Sequence, residues 1–171
     1  MSELVKNPIT IVLAFDAQNC NPNGDPDNDN NPRQFEDGIG YMSSESIKYK
    51  IRSYIRDKVL FDGLEKNSHA LYCSPDTFSI ERSVKESLEP IIGKKTKGIP
   101  DDQQLEAYKE LCRYYYDTRM FGLVNTSYSN CSLLSRIKGA CQVSMPMSYD
   151  PIEIIPMTIT RCCVASDAER K

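Results

Sequence analysis

The sequence predicts an α+β fold, in which helices cover one face of a small antiparallel sheet. Three kinds of observation support this class. The chain begins with an apolar, β-branched run at residues 9–15. Two segments with the period of amphipathic helices follow at 44–60 and 101–120, and two strand-like segments follow at 142–147 and 157–164. This order suits helices packed on a sheet.

The first apolar run reads Ile-Thr-Ile-Val-Leu-Ala-Phe over residues 9–15 and predicts a buried strand. A polar loop follows from residue 16 to residue 40 and carries several prolines and glycines. Loops of this length inside a compact chain are usually functional or mobile. We therefore expect the loop to be more than a connector.

The segment 44–60 predicts a helix that Ser43 or Ser44 caps and Gly63 ends. Its apolar residues recur every four positions and predict a stripe that faces the core: Ile47, Ile51, Ile55 and Val59. Three basic residues recur at the same spacing one position along, and we call them the basic ridge: Lys48, Arg52 and Arg56.

Two stretches have no clear period, residues 64–100 and residues 123–138, and we predict irregular insertions there. The second helix between them should end at Gly122. The resulting order of elements makes the ferredoxin-like plan of RNA-recognition modules a natural candidate, although periodicity alone does not establish it. No linker is evident, so we expect one domain over residues 1–171.

Composition limits the possible functions. Hydrophobic residues make up 40% and charged residues 26% of the chain, a globular balance, and the net charge is −3. RNA would therefore need a local basic patch. The start of the chain lacks the regions of a signal peptide, so we expect a cytoplasmic protein. The seven cysteines are scattered, which predicts reduced thiols and no zinc site.

The polar loop contains the most specific motif. It reads Asn-Pro-Asn-Gly-Asp-Pro-Asp over residues 21–27 and continues with Asn31-Pro32-Arg33 and then Gly38-Ile39-Gly40. This segment resembles the signature of the seventh CRISPR-associated (Cas) protein family, the RNA-binding backbone subunits of type I effector complexes, particularly the I-C and I-B branches. In that family, too, the signature follows the first strand.

Four further blocks are similar to the same family, in the same order. They are Lys-Tyr-Lys-Ile-Arg over residues 48–52, Asp-Thr-Arg-Met-Phe-Gly over 117–122, Lys-Gly-Ala-Cys-Gln over 138–142, and a last block at 148–152 and 159–161. Tyr49, Lys138, Ala140 and Cys141 depart from the family pattern. The resemblance spans nearly the whole chain.

The resemblance implies contacts with guide RNA through phosphate and sugar. We add Arg56 from the helical spacing. The candidate RNA-binding residues are Asn21, Asn23, Gly24, Arg33, Lys48, Lys50, Arg52, Arg56, Lys138, Gly139 and Gln142. A solvated helix face, a self-capped Asx-rich turn, and a turn that leads into a strand are the alternatives that need no RNA.

The aspartates of the loop raise a metal alternative. Asp25, Asp27 and Asp29, with Asn31 and Glu36, follow the spacing of a calcium-binding EF-hand, but the glycine of that motif is missing. Metal-dependent nuclease chemistry lacks a nearby lysine or histidine base. We therefore expect no metal, no cofactor and no enzymatic activity.

Members of the family normally continue well past the block that ends here at Arg161. The resemblance therefore implies a shortened palm that lacks its last elements and the thumb hairpin. We expect either an anti-CRISPR mimic that joins effector subunits and blocks assembly on guide RNA, or a genuine backbone subunit in truncated form. Both would bind other effector subunits, and neither would bind a membrane.

Overall fold

The computed structural model describes residues 5–74 and 80–158, with the side chains of 80–84 left aside. In chain order the elements are β1 (Gly24–Asp25), β2 (Asn31–Pro32), β3 (Ile39–Tyr41), α1 (Ser44–Phe61), α2 (Lys66–His69), α3 (Ile80–Ile92), α4 (Asp101–Tyr114), α5 (Tyr116–Phe121), β4 (Gly122–Val124), a 3-10 turn (Thr126–Tyr128), β5 (Arg136–Lys138) and β6 (Met147–Pro151).

The α+β class is confirmed. The described strands form three antiparallel pairs, β1 with β2, β3 with β6, and β4 with β5. This arrangement is compatible with a partial palm. The chain divides into two compact units, which we call the terminal unit (residues 1–41 and 147–171) and the central unit (residues 42–146). The expectation of one domain stays a prediction.

The terminal unit is organised around the β3–β6 pair. Ile39 lies opposite Pro151 and Tyr41 lies opposite Met147, with an irregularity in the register between them. The Gln34 side chain donates to the carbonyls of Gly38 at 3.0 Å and Ile152 at 3.1 Å, so it joins the two ends of this unit. The rings of Phe35 and Tyr41 stack with their centroids 4.3 Å apart.

The predicted buried strand at residues 9–15 is wrong. These residues are irregular and exposed, with exposed fractions from 50% at Phe15 to 89% at Val12. The physical reason is the lack of a partner, because an apolar run becomes a buried strand only when a neighbouring strand satisfies its backbone groups. No described strand pairs with it.

The central unit contains the hydrophobic core. Helices α3 and α4 pack against each other, and their buried residues include Leu88, Ile92 and Leu111. Tyr128 and Leu134, from the segment between β4 and β5, complete the same cluster. The core therefore brings together three regions that are far apart in sequence.

Helix α1 is confirmed. Ser43 is its cap, because its hydroxyl accepts from the Ser46 N–H at 3.1 Å, and Gly63 adopts a left-handed φ of 72° just beyond the end. The predicted stripe Ile47, Ile51, Ile55 and Val59 is half-buried, and none of these residues belongs to the core cluster. The described part of the unit therefore covers this apolar face of the helix only partly.

Several boundaries differ from the predictions. The region 64–100 contains helices α2 and α3, because Leu88 and Ile92 lie one turn apart and face the core although Pro90 stands between them. The helix predicted over 101–120 is interrupted at Tyr115, whose ψ of 114° is extended.

The strands near the C-terminus also shift. Residues 123–138 contain most of the β4–β5 pair, and β6 begins only at Met147, so residues 142–146 are irregular. Residues 157–158 are not in a strand, and the rest of the predicted strand at 157–164 lies outside the described residues. Among the described helices, none has the length and apolar character needed to cross a membrane.

Candidate nucleic-acid interface

Arg52, in the middle of the basic ridge, is held inside the central unit. Its Nε donates to the Asp117 carboxylate at 2.9 Å, and its guanidinium lies 5.3 Å from the centre of the Phe121 ring. Asp117 is 1% exposed and also accepts from the backbone N–H groups of Tyr72 at 2.8 Å and Cys73 at 3.0 Å. Arg52 therefore fastens α1 to α5.

The other cations of α1 are more accessible. Lys48 is half-buried, and Lys50 is exposed and donates to the Ser46 hydroxyl at 3.1 Å. Arg56 forms an ion pair with Asp57 at 3.1 Å, and the Asp57 side chain is 52% exposed. A phosphate can compete for such exposed pairs, because they contribute little to stability.

The end of α5 and the start of the 138–142 segment lie directly against each other. Gly122 pairs with Lys138, and the N–H groups of Ala140 and Cys141 donate to the carbonyls of Arg119 and Met120 at 3.0 and 2.7 Å. A Cβ on Gly139 would lie 2.3 Å from the Gly122 nitrogen. Glycine at 139 thus permits a close approach between two backbone segments.

Two of the predicted RNA-binding residues lie against Phe121, one against its ring and one against its backbone. Arg52 covers the face of Phe121, and the Phe121 carbonyl carbon is 2.3 Å from an ideal Cβ on Gly139. Lys138 is adjacent to Gly139 and exposed, and Gln142 is exposed further along the segment. The fold brings the second and fourth family-like blocks together through the third.

The loop candidates belong to the terminal unit. β1 and β2 enclose a turn in which Asp25 accepts from the N–H groups of Asn28 and Asn30 through its carbonyl, at 3.0 and 2.8 Å. The Asn21 side chain donates to the Asn30 carbonyl, and a Cβ on Gly24 would lie 2.8 Å from that oxygen. This geometry favours the self-capped Asx-rich turn.

The acidic residues of the loop have partners of their own. The Asp25 carboxylate accepts from the Asp27 N–H at 3.3 Å and forms an ion pair with Arg33 at 3.3 Å. Arg33 is half-buried, as is Asn23. Within residues 5–74 and 80–158, no three His, Cys, Asp or Glu side chains come together as a metal site would require.

Sequence reasoning missed two features of the central unit. Asp117 is the acceptor for three donors, and its only sequence signal is its place in the family-like block. Lys109 and Arg113 lie one turn apart on α4 and line a groove together with Lys138 and Gly139. The sequence shows the i, i+4 spacing of Lys109 and Arg113, but it does not show which residues lie across the groove from them.

Burial shifts the acidity of several groups in the central unit. It raises the pKa of Tyr72 to about 12 because the phenolate would lose hydration. Burial likewise raises the pKa of the Cys112 thiol, and hydrogen bonding from Tyr108 and the charge of Arg119 only partly oppose this. Cys112 is therefore a neutral thiol at neutral pH.

The sequence was compared with known proteins. Residues 7–171 match the model of the family described as CRISPR-associated protein Cas7. A protein of that name from Haloferax volcanii is 26% identical over 157 residues, which cover 88% of this chain and 42% of the relative. The chain thus spans less than half the length of this relative.

Proposed function

Because the chain belongs to the CRISPR-associated Cas7 family, we propose that it is an RNA-binding component of a CRISPR effector complex and has no enzymatic activity. The observation that carries the proposal is the meeting of the basic helix and the 138–142 segment at Phe121. Phe121 thereby links two segments that carry candidate residues. Guide RNA is its proposed ligand.

In this proposal the cations of α1 have different tasks. Lys48, Lys50 and Arg56 contact phosphate oxygens directly, because ammonium and guanidinium groups donate to phosphate and the Lys50 side chain is exposed. Arg52 instead orients the helix through Asp117. Binding of this kind depends on phosphate charge and is independent of base sequence.

The proposed protein partners are other subunits of the effector. The exposed residues 9–15 support this, since Ile11, Val12 and Leu13 are 83%, 89% and 71% exposed. A contiguous apolar surface of this kind is typical of a protein–protein contact. We propose that a neighbouring polypeptide covers it, and that the complex acts in the cytoplasm.

Two finer predictions remain. The loop motif of residues 21–27 favours an effector of the I-B or I-C branch. The other is the anti-CRISPR prediction, in which the chain joins the effector and blocks its assembly. An inhibitor would bind the same partners as a working subunit, but the effector complex would stay incomplete. The same experiment decides between a working subunit and an inhibitor.

The test is co-expression of the tagged chain with the other subunits of a type I-B or I-C effector and its guide RNA, with and without the effector's own backbone subunit. Co-purified subunits and RNA are quantified. A Lys48→Ala/Lys50→Ala variant is compared with Lys94→Ala/Lys95→Ala, two exposed lysines of the loop between α3 and α4.

We expect guide RNA and effector subunits to co-purify with the chain. RNA recovery should fall in the Lys48→Ala/Lys50→Ala variant and not in the Lys94→Ala/Lys95→Ala variant. A complete complex that binds target would identify a working subunit. A stalled subassembly would identify the inhibitor. Recovery of the chain without any effector subunit or RNA would contradict the proposal in both forms.

A further inference from the structure

A groove of about 500 Å³ lies in the central unit between one face of α4 and the segment that follows β5. It is lined by Lys109 and Arg113 from α4, by Lys138 and Gly139 at the end of β5, and by Arg119 from α5. No carboxylate lines it among the described residues. The groove is therefore a local concentration of positive charge on a chain whose net charge is −3.

The four cations of the groove are not equally available. Arg119 donates to the carbonyls of Cys112 at 3.2 Å and Arg113 at 3.0 Å, so it ends helix α4 and is committed to the fold. Arg113 forms a two-point pair with Glu110 on the helix surface. These two arginines contribute charge, but their donors are largely used.

Lys109 and Lys138 are different. Both side chains are exposed, and neither ammonium group forms a hydrogen bond or an ion pair with any described residue. They face the groove from its two sides, one on the helix and one on the strand. Two unpaired ammonium groups across a groove form a site for an anion that can accept hydrogen bonds from both sides.

The floor of the groove is compatible with a polyanion that passes through it. Cys112 lines it as a half-buried thiol, and burial raises its pKa so that it adds no negative charge. Gly139 adds no side chain, and its backbone is fixed against α5.

We propose that this groove binds a phosphodiester of single-stranded RNA, held between Lys109 and Lys138. The inference rests on the proposed function and extends it to α4, which carries none of the RNA-binding residues expected from the sequence. Such a site adds an electrostatic contact between α4 and Lys138. An acidic protein segment is the competing ligand, and the test separates the two.

The experiment measures binding of the full chain to a fluorescent single-stranded oligouridylate over a series of salt concentrations. Lys109→Ala/Lys138→Ala is compared with the wild type and with Lys94→Ala/Lys95→Ala. Loss of two lysine–phosphate contacts should weaken binding about tenfold and lower the salt dependence by about 1.4 in the slope of log K against log salt. The control should bind like the wild type.

A second measurement locates the ligand. The alkylation rate of Cys112 is followed by mass spectrometry of its peptide with and without the oligouridylate. RNA in the groove should slow Cys112 modification in the wild type and not in the groove variant. When the oligouridylate saturates both proteins, this readout no longer depends on total affinity, so it distinguishes local contact from a general loss of charge.

The outcomes are separable. If the wild type binds oligouridylate and the groove variant binds it equally tightly with the same Cys112 protection, the groove inference is wrong and the proposed function stands. If the groove variant instead loses an effector subunit from the co-expressed complex while its RNA binding is unchanged, the ligand is an acidic protein surface and the RNA inference is also wrong. If the wild type binds no RNA, both proposals fall.

Discussion

The guanidinium of Arg52 and the carboxylate of Asp117 lie 2.9 Å apart, with the aspartate 1% and the arginine 17% exposed. This pair joins the basic helix to the short helix that carries the Asp-Thr-Arg-Met-Phe-Gly block. An arginine that the sequence suggests as a phosphate ligand is thus engaged by a buried acid. In the proposed function Arg52 therefore positions α1 and does not itself bind phosphate.

Replacement of Asp117 by alanine should strongly destabilise the protein. The change leaves the Arg52 charge and the N–H groups of Tyr72 and Cys73 without their acceptor. Removing one partner of a buried pair costs about 3–5 kcal/mol of the free energy of unfolding. Urea unfolding measures the loss. The matched control is Asp57→Ala, whose pair with Arg56 is exposed and whose loss should change stability by less than about 1 kcal/mol.

Replacement of Gly139 by alanine should disrupt the junction between α5 and β5. The new Cβ would lie 2.3 Å from the Gly122 nitrogen and 2.5 Å from the Met120 carbonyl oxygen, so backbone must move. We expect a larger loss than for Gly63→Ala, where nothing lies within 4 Å and only the left-handed φ of 72° costs about 1 kcal/mol. Equal losses in thermal unfolding would argue against the close approach.

The two serines before α1 should behave differently. Ser43→Ala removes the hydroxyl that accepts from the Ser46 N–H at 3.1 Å and should cost about 1 kcal/mol. Ser44→Ala removes only a contact between its hydroxyl and the Glu45 carboxylate and should be nearly neutral. Chemical denaturation of the two variants compares them directly, and a larger effect at Ser44 would place the cap there instead.

Stability should decline at alkaline pH in a way that depends on Tyr72. Its pKa is about 12 in the folded protein, mainly through burial, and about 10 in an unfolded chain. The unfolded chain therefore releases this proton first, so the free energy of unfolding falls as pH rises from about 10 to 12. Tyr72→Phe should make this decline shallower, and Tyr149→Phe, on a ring 99% exposed, should leave it unchanged. An identical decline in both variants would rule out Tyr72 as the cause.

Local patterns predicted helix α1 well, because its cap, its four-residue spacing and its terminal glycine are all encoded within a few positions of one another. The same patterns failed at residues 9–15, where strand formation depends on a partner that the sequence of the run does not specify. Helix α3 was missed because its polar residues and Pro90 masked the contacts of Leu88 with the core.

The candidate site shows the same division. The family-like blocks predicted which segments matter, but the contact of Arg52 with Asp117 joins residues 65 positions apart and could not be read from either segment. The groove between Lys109 and Lys138 likewise depends on how α4 packs beside β5. Long-range packing decides which cations are exposed and which are structural.

The most direct test of the central claim is ultraviolet crosslinking of guide RNA in the co-purified effector complex, followed by mass spectrometry of the crosslinked peptides. We expect crosslinks in this chain within residues 44–61 and 136–142, with further crosslinks on α4 if the groove is occupied. Incorporation of the chain into the complex with crosslinks only to other subunits would contradict an RNA-binding role for this surface.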